Sequence, residues 1–381
     1  MTNRLSPAGH AGDRFGRLLK PGELRRTLFW AALVGIVGGL CSAGFRQAIF
    51  AVQWLLTGHT GSLVGISLSL ESWQRLLIPT VGGITAGLVL HFGHNLTGGD
   101  KPTDYMEALT VADGAIPVAP SLVKSASSLM TIASGRSIGR EGSMVQLAAV
   151  AASWLGQRLD VSGPSLRLLT ACGAAAGLAS VYDAPIAGAL FVSDIILDSI
   201  AIESLSPLLL SAAAATVVSR SLGSAETYFR VSSLDLISAW EILPYLAMGV
   251  ALGVSAPAFV WLLRVSREGF GRLHVPIYVR LRVGGLVVGA ILGSLVGTGV
   301  EHFLPGQTAG APAFAVVAMS GFLAATTGAP MTAMLMVFEM TLDHGIVLPL
   351  IITSVIAALV ARRLSKASLY SDALTPALPV G

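Results

Sequence analysis

Apolar residues run along this chain in long blocks parted by short polar stretches, at about 27–56, 76–93, 121–134, 142–157, 167–201, 204–219, 240–264, 281–300, 311–341 and 345–361. A membrane-crossing helix takes about 20 residues, so 121–134 and 142–157 are too short to cross alone. Blocks 167–201 and 311–341 are long enough for a re-entrant pair or a tilted, broken helix. The polar flanks set an orientation. Residues 1–26 carry Arg4, Arg14, Arg17, Lys20, Arg25 and Arg26 against Asp13 and Glu23, without the short apolar core and cleavage site of a signal peptide. Arg362, Arg363 and Lys366 follow the last block. The positive-inside rule therefore predicts that both termini are cytoplasmic and that the number of full crossings is even.

Two stretches echo each other. Gly173-Ala-Ala-Ala-Gly-Leu-Ala-Ser-Val-Tyr-Asp-Ala-Pro185 resembles Gly321-Phe-Leu-Ala-Ala-Thr-Thr-Gly-Ala-Pro330, with Leu190 and Asp194 after the first Pro and Leu335 and Glu339 at matching places after the second. The offset is 145 residues. Chance likeness of Ala/Leu-rich helices competes with this, but the paired Ala-Pro and matched acid predict a repeated half, as in many transporters.

Composition narrows the class. With 53% hydrophobic and 12% charged residues, the chain has about half the charge of an average soluble domain and reads as an all-α polytopic membrane protein. That excludes nucleic-acid readers, secreted disulfide scaffolds and coiled coils, and a net charge of +3 is too small to suggest a polyanion partner. Cys41 and Cys172 sit in apolar runs without ligand spacing and read as packing thiols; no metal site and no cofactor are called for. An intramembrane hydrolase finds no support, because none of the seven His lies in a metal-ligand or catalytic motif and no H-E-x-x-H occurs. The 43 Gly point to closely approaching helices rather than a lipid-facing barrel. Glycine also permits breaks, which a membrane tolerates only where the backbone is buried in protein or lines a cavity, so a channel or transporter is indicated.

The candidate chemistry lies in Ser134-Gly-Arg-Ser-Ile-Gly-Arg-Glu-Gly-Ser143. Arg140 and Glu141, flanked by Gly139 and Gly142, fall between the two short blocks, and an ionisable pair at that depth needs a reason. A helix starting there would present free N–H groups and its positive dipole end to an anion, and Glu141 would be an anion tethered in that site. The residues alone leave a second reading open: an interfacial loop in which Glu141 caps its own helix and Arg140 snorkels.

Gly139-Arg-Glu-Gly142 resembles the GREGP signature of the CLC chloride channels and chloride/proton antiporters. Further motifs follow in order. Lys124 stands where the family places a buried lysine that helps attract anions, and Gly98-Gly-Asp-Lys-Pro102 occupies the place of GSGIP. Ala184-Pro185 through Asp194 and Ala329-Pro330 through Thr341 match paired segments, and Leu369-Tyr370 matches the tyrosine that closes the pore. The resemblance covers roughly 27–371, and within the family the stretch 98–109 looks most like the bacterial ClcB-type members. It implies an inverted-repeat fold with broken and re-entrant helices, divided into a cytoplasmic segment 1–26, a first half-repeat 27–222, a shortened second half-repeat 223–364 and a cytoplasmic tail 365–381. It further implies a gating glutamate at Glu141, and an anion site at Gly98, Gly99, Gly139, Arg140, Gly142 and Tyr370 with electrostatic support from Lys124 and Lys101. Chloride is the ion it implies, the bacterial inner membrane the location, and a homodimer through 184–219 and 330–361 the assembly.

Three departures bear on mechanism. Gly99 lacks the hydroxyl of the family's Ser, and Asp100 and Lys101 add charges that the signature lacks. The position after Asp194, where proton-coupled members often carry glutamate, is Ile195, which carries no proton; passive conduction is the simplest reading, with Asp194 the remaining candidate for a proton path. The GxFxP motif of the second half is absent. Adding 145 to the GREG position reaches Gly284-Gly-Leu-Val-Val, and the chain reads as joining two separated helices at about 283–293, with several helices missing and one filter wall in doubt. A non-conducting homologue is therefore the third functional alternative, beside channel and antiporter.

Overall fold

The computed structural model describes residues 21–61, 65–66, 69–97, 104–110, 112–135, 139–161, 163–197, 202–224, 240, 242–272, 285–303 and 310–365. Among them the chain is helical throughout, without strands: α1 (Pro21–Thr57), α2 (Ser72–Leu96), α3 (Tyr105–Thr110), α4 (Val118–Ala133), α5 (Glu141–Arg158), α6 (Pro164–Tyr182), α7 (Pro185–Phe191) running into a π-helical turn (Val192–Ile196), α8 (Ile202–Ser219), α9 (Ile242–Arg272), α10 (Gly285–Phe303), α11 (Gly310–Thr327), α12 (Pro330–Thr341) and α13 (Val347–Leu364). Seven helices among the described residues are long and apolar enough to cross a membrane. The short blocks at 121–134 and 142–157 become α4 and α5, of 16 and 18 residues.

Packing divides the chain into two units, 1–134 with 140–225 and 135–139 with 226–381. In the first, α1 lies against α5, α6 and α8. Lipid gives helices no hydrophobic reason to associate, so close backbone approach must hold them together. A Cβ placed on Gly35 of α1 would lie 2.3 Å from the Ser211 carbonyl oxygen of α8, and one on Gly38 would lie 2.8 Å from the Ala176 methyl of α6. Ser211 Oγ then donates to the Cys172 carbonyl at 2.9 Å, tying α8 to α6. In the second unit Gly293 and Gly297 let α10 settle on α11, while Gly249 and Gly253 let α9 settle on α13. Its core is aromatic: Tyr245 stacks on Phe314 with ring centres 4.5 Å apart, and Phe259 meets Phe322 edge to face.

Both long blocks are broken, each at its Ala-Pro. α6 ends at Asp183 in the left-handed conformation (φ 57°), and α7 starts at Pro185. α11 ends at Gly328 (φ 78°), and α12 starts at Pro330. The Ala between them has φ −125°, ψ 80° in the first break and φ −116°, ψ 79° in the second. Proline has no N–H to donate to a continuing helix and forces the residue before it out of the helical region, which explains the shared geometry. The repeat extends much further than the sequence echo. Adding 145 to the bounds of α5, of α6, of α7 with its π turn and of α8 gives those of α10, α11, α12 and α13 to within one residue. Upstream the halves part company: residues 58–140 separate α1 from α5 and contain α2, α3 and α4, whereas only residues 273–284 separate α9 from α10.

Candidate functional site

The GREG segment sits at the start of a helix. α4 ends at Ala133, Gly135 turns with φ 88°, and α5 begins at Glu141 after Arg140 as its N-cap. Arginine has no acceptor oxygen in its side chain, so the cap leaves first-turn N–H groups to other partners; the first helical bond in this turn runs from the Met144 N–H to the Arg140 carbonyl at 3.2 Å. Gly139 and Gly142 are exposed, Arg140 and Glu141 half-buried, and Ser143 to Gln146 buried. A side chain at Gly142 would meet nothing within 4 Å, so there is open space beside this first turn. Glu141 makes no ion pair or side-chain hydrogen bond among the described residues. The geometry is that of a carboxylate at the positive end of a helix dipole, next to an accessible backbone.

A polar seam fixes the elements around it. Lys124 of α4 lies 3.6 Å from Asp104, which precedes α3, so its charge is balanced by a carboxylate. The Tyr105 N–H donates to Gln146 Oε1 at 2.8 Å, and Gln146 Nε2 donates to Ser121 Oγ at 3.1 Å, linking α3, α5 and α4. Below this, the Gly114 carbonyl accepts from Ser153 Oγ at 2.9 Å and Thr170 Oγ1 at 2.8 Å, and the Ile116 N–H donates to Ser153 Oγ. Gly114 needs to be glycine twice over, with φ 81° and its α-carbon against the Arg167 backbone. Asp194 and Ile195 lie half-buried in the π turn, which packs against α3 and α6. Such turns are rare and recur at functional sites.

The structure thus gathers Arg140, Glu141, Gly142, Lys124 and Asp194 into one unit. Gly98, Gly99, Lys101 and Tyr370 lie outside the described residues. Sequence reasoning missed Asp104 and Gln146: the first stands inside the quoted 98–109 stretch, and the second lies one helical turn beyond Gly142. Gly135-Arg-Ser-Ile-Gly139 also spells G-x-S-x-G, but that hydrolase pattern requires a strand before it, and here α4 precedes it. In the second unit, α10 starts at Gly285, where the offset carries the α5 start to within one residue, so a helix stands at the position of the absent GxFxP motif.

The sequence profile of the family described as "voltage gated chloride channel" matches residues 81–289 and again 283–362. The two matches overlap at 283–289, where the chain passes directly into α10. A ClcB-like chloride channel protein of Ralstonia nicotianae is 38% identical, covering 90% of this chain and 95% of the relative. That alignment is 409 positions long while 90% of 381 residues is about 343, so about 66 positions fall where the relative has residues and this chain has none. The voltage-gated ClC-type chloride channel ClcB of Citrobacter koseri is 35% identical, covering 91% of this chain and 98% of the relative. Among solved structures, a slow cyanobacterial Cl−/H+ antiporter superposes with a TM-score of 0.73 at 20% identity, covering 94% of this chain and 98% of its own. A CLC-type fluoride/proton antiporter superposes at 0.70 and 18%, covering 92% and 98%.

Proposed function

The chain belongs to the CLC family of voltage-gated chloride channels and transporters, and from that premise we propose that it is a passive chloride channel gated by Glu141. The observation that carries the reading is the start of α5: a carboxylate with no ion pair among the described residues, beside open space, at the positive end of a helix. In this reading Glu141 occupies the pore when closed and leaves it when displaced by chloride or protonated. Backbone N–H groups around Gly139 to Gly142 and Gly98 to Gly99 receive the ion, Arg140 adds positive potential, and Tyr370 offers a hydroxyl. Lys124 draws anions toward the site, with its field trimmed by Asp104, and Lys101 takes part of the role of the hydroxyl that Gly99 lacks. The half-repeats are 27–222 and 223–364, with the tail 365–381 bringing Tyr370. The protein lies in the bacterial inner membrane with both termini in the cytoplasm.

It works as a homodimer through 184–219 and 330–361. Supporting this, apolar side chains stay exposed at matching places on the two segments: Ile186 and Met331 at 48% and 61%, Leu210 and Val355 at 39% and 37%.

Antiport is the second reading, favoured by the π turn that holds Asp194 next to α3 and by solved relatives described as antiporters. Proteoliposomes with a chloride gradient separate the two. Channel function gives chloride efflux that moves no protons and a reversal potential that follows chloride alone. Stoichiometric proton movement establishes antiport instead. Absence of flux, unchanged by Glu141→Ala, establishes a non-conducting homologue.

A further inference from the structure

Each half of the chain closes its helix break in the same way. In the first, the Arg220 Nε–H, just past the last turn of α8, donates to both carboxylate oxygens of Asp183 at 2.9 and 3.1 Å. In the second, Arg362 Nη2, in the last turn of α13, donates to the Gly328 carbonyl. Asp183 and Gly328 are the left-handed residues of the two breaks and correspond at the 145-residue offset. Both make the same local bond, from their own N–H to the carbonyl four residues back, Ala179 and Ala324. The chemistry differs: a carboxylate receives the first arginine and a bare carbonyl the second. The topology does not, since in both an arginine at the end of the long helix returns to the break that opens the preceding short helix.

The arginine in each half therefore closes a ring of chain containing one short helix and one long helix, residues 183–220 and 328–362. Breaks are where such a pair could swing, because the residue in the left-handed region and the Ala after it are the only backbone joints between α6 and α7, or between α11 and α12. The first ring is also fastened from outside: Arg46 of α1, only 8% exposed, donates from Nη2 to Ser219 Oγ at 3.0 Å, next to Arg220. No such outside bond is needed to define the ring, but it shows how much polar contact is concentrated at this end of α8.

The rings enclose the segments assigned above to the dimer, and we infer that Arg220 and Arg362 are positioning residues which set the angle of the short helices and thereby present Ile186 and Leu210, Met331 and Val355, to a second copy of the chain. This rests on the homodimer reading. Neither arginine is asked to touch the partner.

The test uses the full-length protein in lipid bilayers, with dimer fraction followed by energy transfer between labelled subunits as lipid dilutes them. Arg220→Ala and Arg362→Ala should each weaken dimerisation about fivefold, the size expected when a charge-assisted bond is partly screened by solvent. The double variant should weaken it about 25-fold if the two rings act independently. Arg362→Lys should restore the dimer, because one ammonium suffices for a single carbonyl. Asp183→Gly keeps the left-handed backbone and removes only the carboxylate, so it should weaken dimerisation as Arg220→Ala does, and it decides the matter if the alanine variants unfold. Wild-type dimers with undiminished dimers in Asp183→Gly and Arg362→Ala overturn the ring proposal and leave the dimer standing. A wild type that stays monomeric at every dilution overturns the dimer itself.

Discussion

Glu141 stands between Arg140 and Gly142 at the first position of α5, so its charge and its size are separable. Glu141→Gln keeps the bulk and removes the charge that the α5 dipole holds. Under the gating reading, chloride efflux from proteoliposomes should rise severalfold in this variant, because the neutral side chain is no longer held at the positive end of α5; unchanged efflux would count against gating by Glu141. Asp104 tests the electrostatics from the other side. Asp104→Asn releases the Lys124 charge, and chloride flux should rise about two- to threefold at roughly 0.01 M salt and return to wild type near 1 M, where screening reaches about 3 Å. Lys124→Ala should move flux the opposite way under the same salts. Gly173 is governed by space alone. A Cβ there would lie 2.5 Å from the Ala152 methyl and 2.6 Å from the Ala148 carbonyl oxygen, so Gly173→Val should lower stability by about 1–3 kcal/mol or more, seen in thermal unfolding in detergent.

Among the helices, what could be read from the sequence was what local rules dictate. The length of blocks 167–201 and 311–341 allowed for the breaks, and an Ala-Pro stands at each; Gly328 is the residue type that a left-handed position before the second favours. Asp183 is a weaker sign in the first, since Asp enters the left-handed region only occasionally, and its partner Arg220 lies 37 residues away. Gly328→Ala should accordingly cost about 1–2 kcal/mol for a side chain in the left-handed region, whereas Asp183→Gly relieves that strain while losing the ion pair; unfolding midpoints of the two variants compare these terms. The seam of Tyr105, Gln146 and Ser121 was equally invisible: its bonds join residues 41 and 25 apart, and neither polar spacing nor apolar periodicity encodes which helix faces which. The π turn was hidden for another reason, since a single extra residue in a helical turn leaves an apolar run looking the same. The glycines at 284 and 285 were legible only through the 145-residue offset, and that offset also carries the α5 start to the α10 start within one residue.

Across the whole chain, the proposed orientation has a direct check. α1 runs from Pro21 to Thr57, and Gly58 to Thr60 follow it. With both native cysteines replaced, a cysteine at His59 should react with an impermeant maleimide added outside intact cells, and one at Ser365 should react only after the cells are opened. Reversed reactivity would invert the assignment of both termini. The family was legible because its motifs are short, ordered and local; the seam and rings that hold those motifs were not, because they depend on pairings across long separations.

The coincidence of α5 to α8 with α10 to α13, set against the loss of any counterpart to α2, α3 and α4 in the second half, has a consequence for descent. The four helices recur in one register, but neither copy stands alone: α1 packs against α5, α6 and α8, and α9 against α11 and α13, so a piece passed between relatives has to carry its supporting long helix with it.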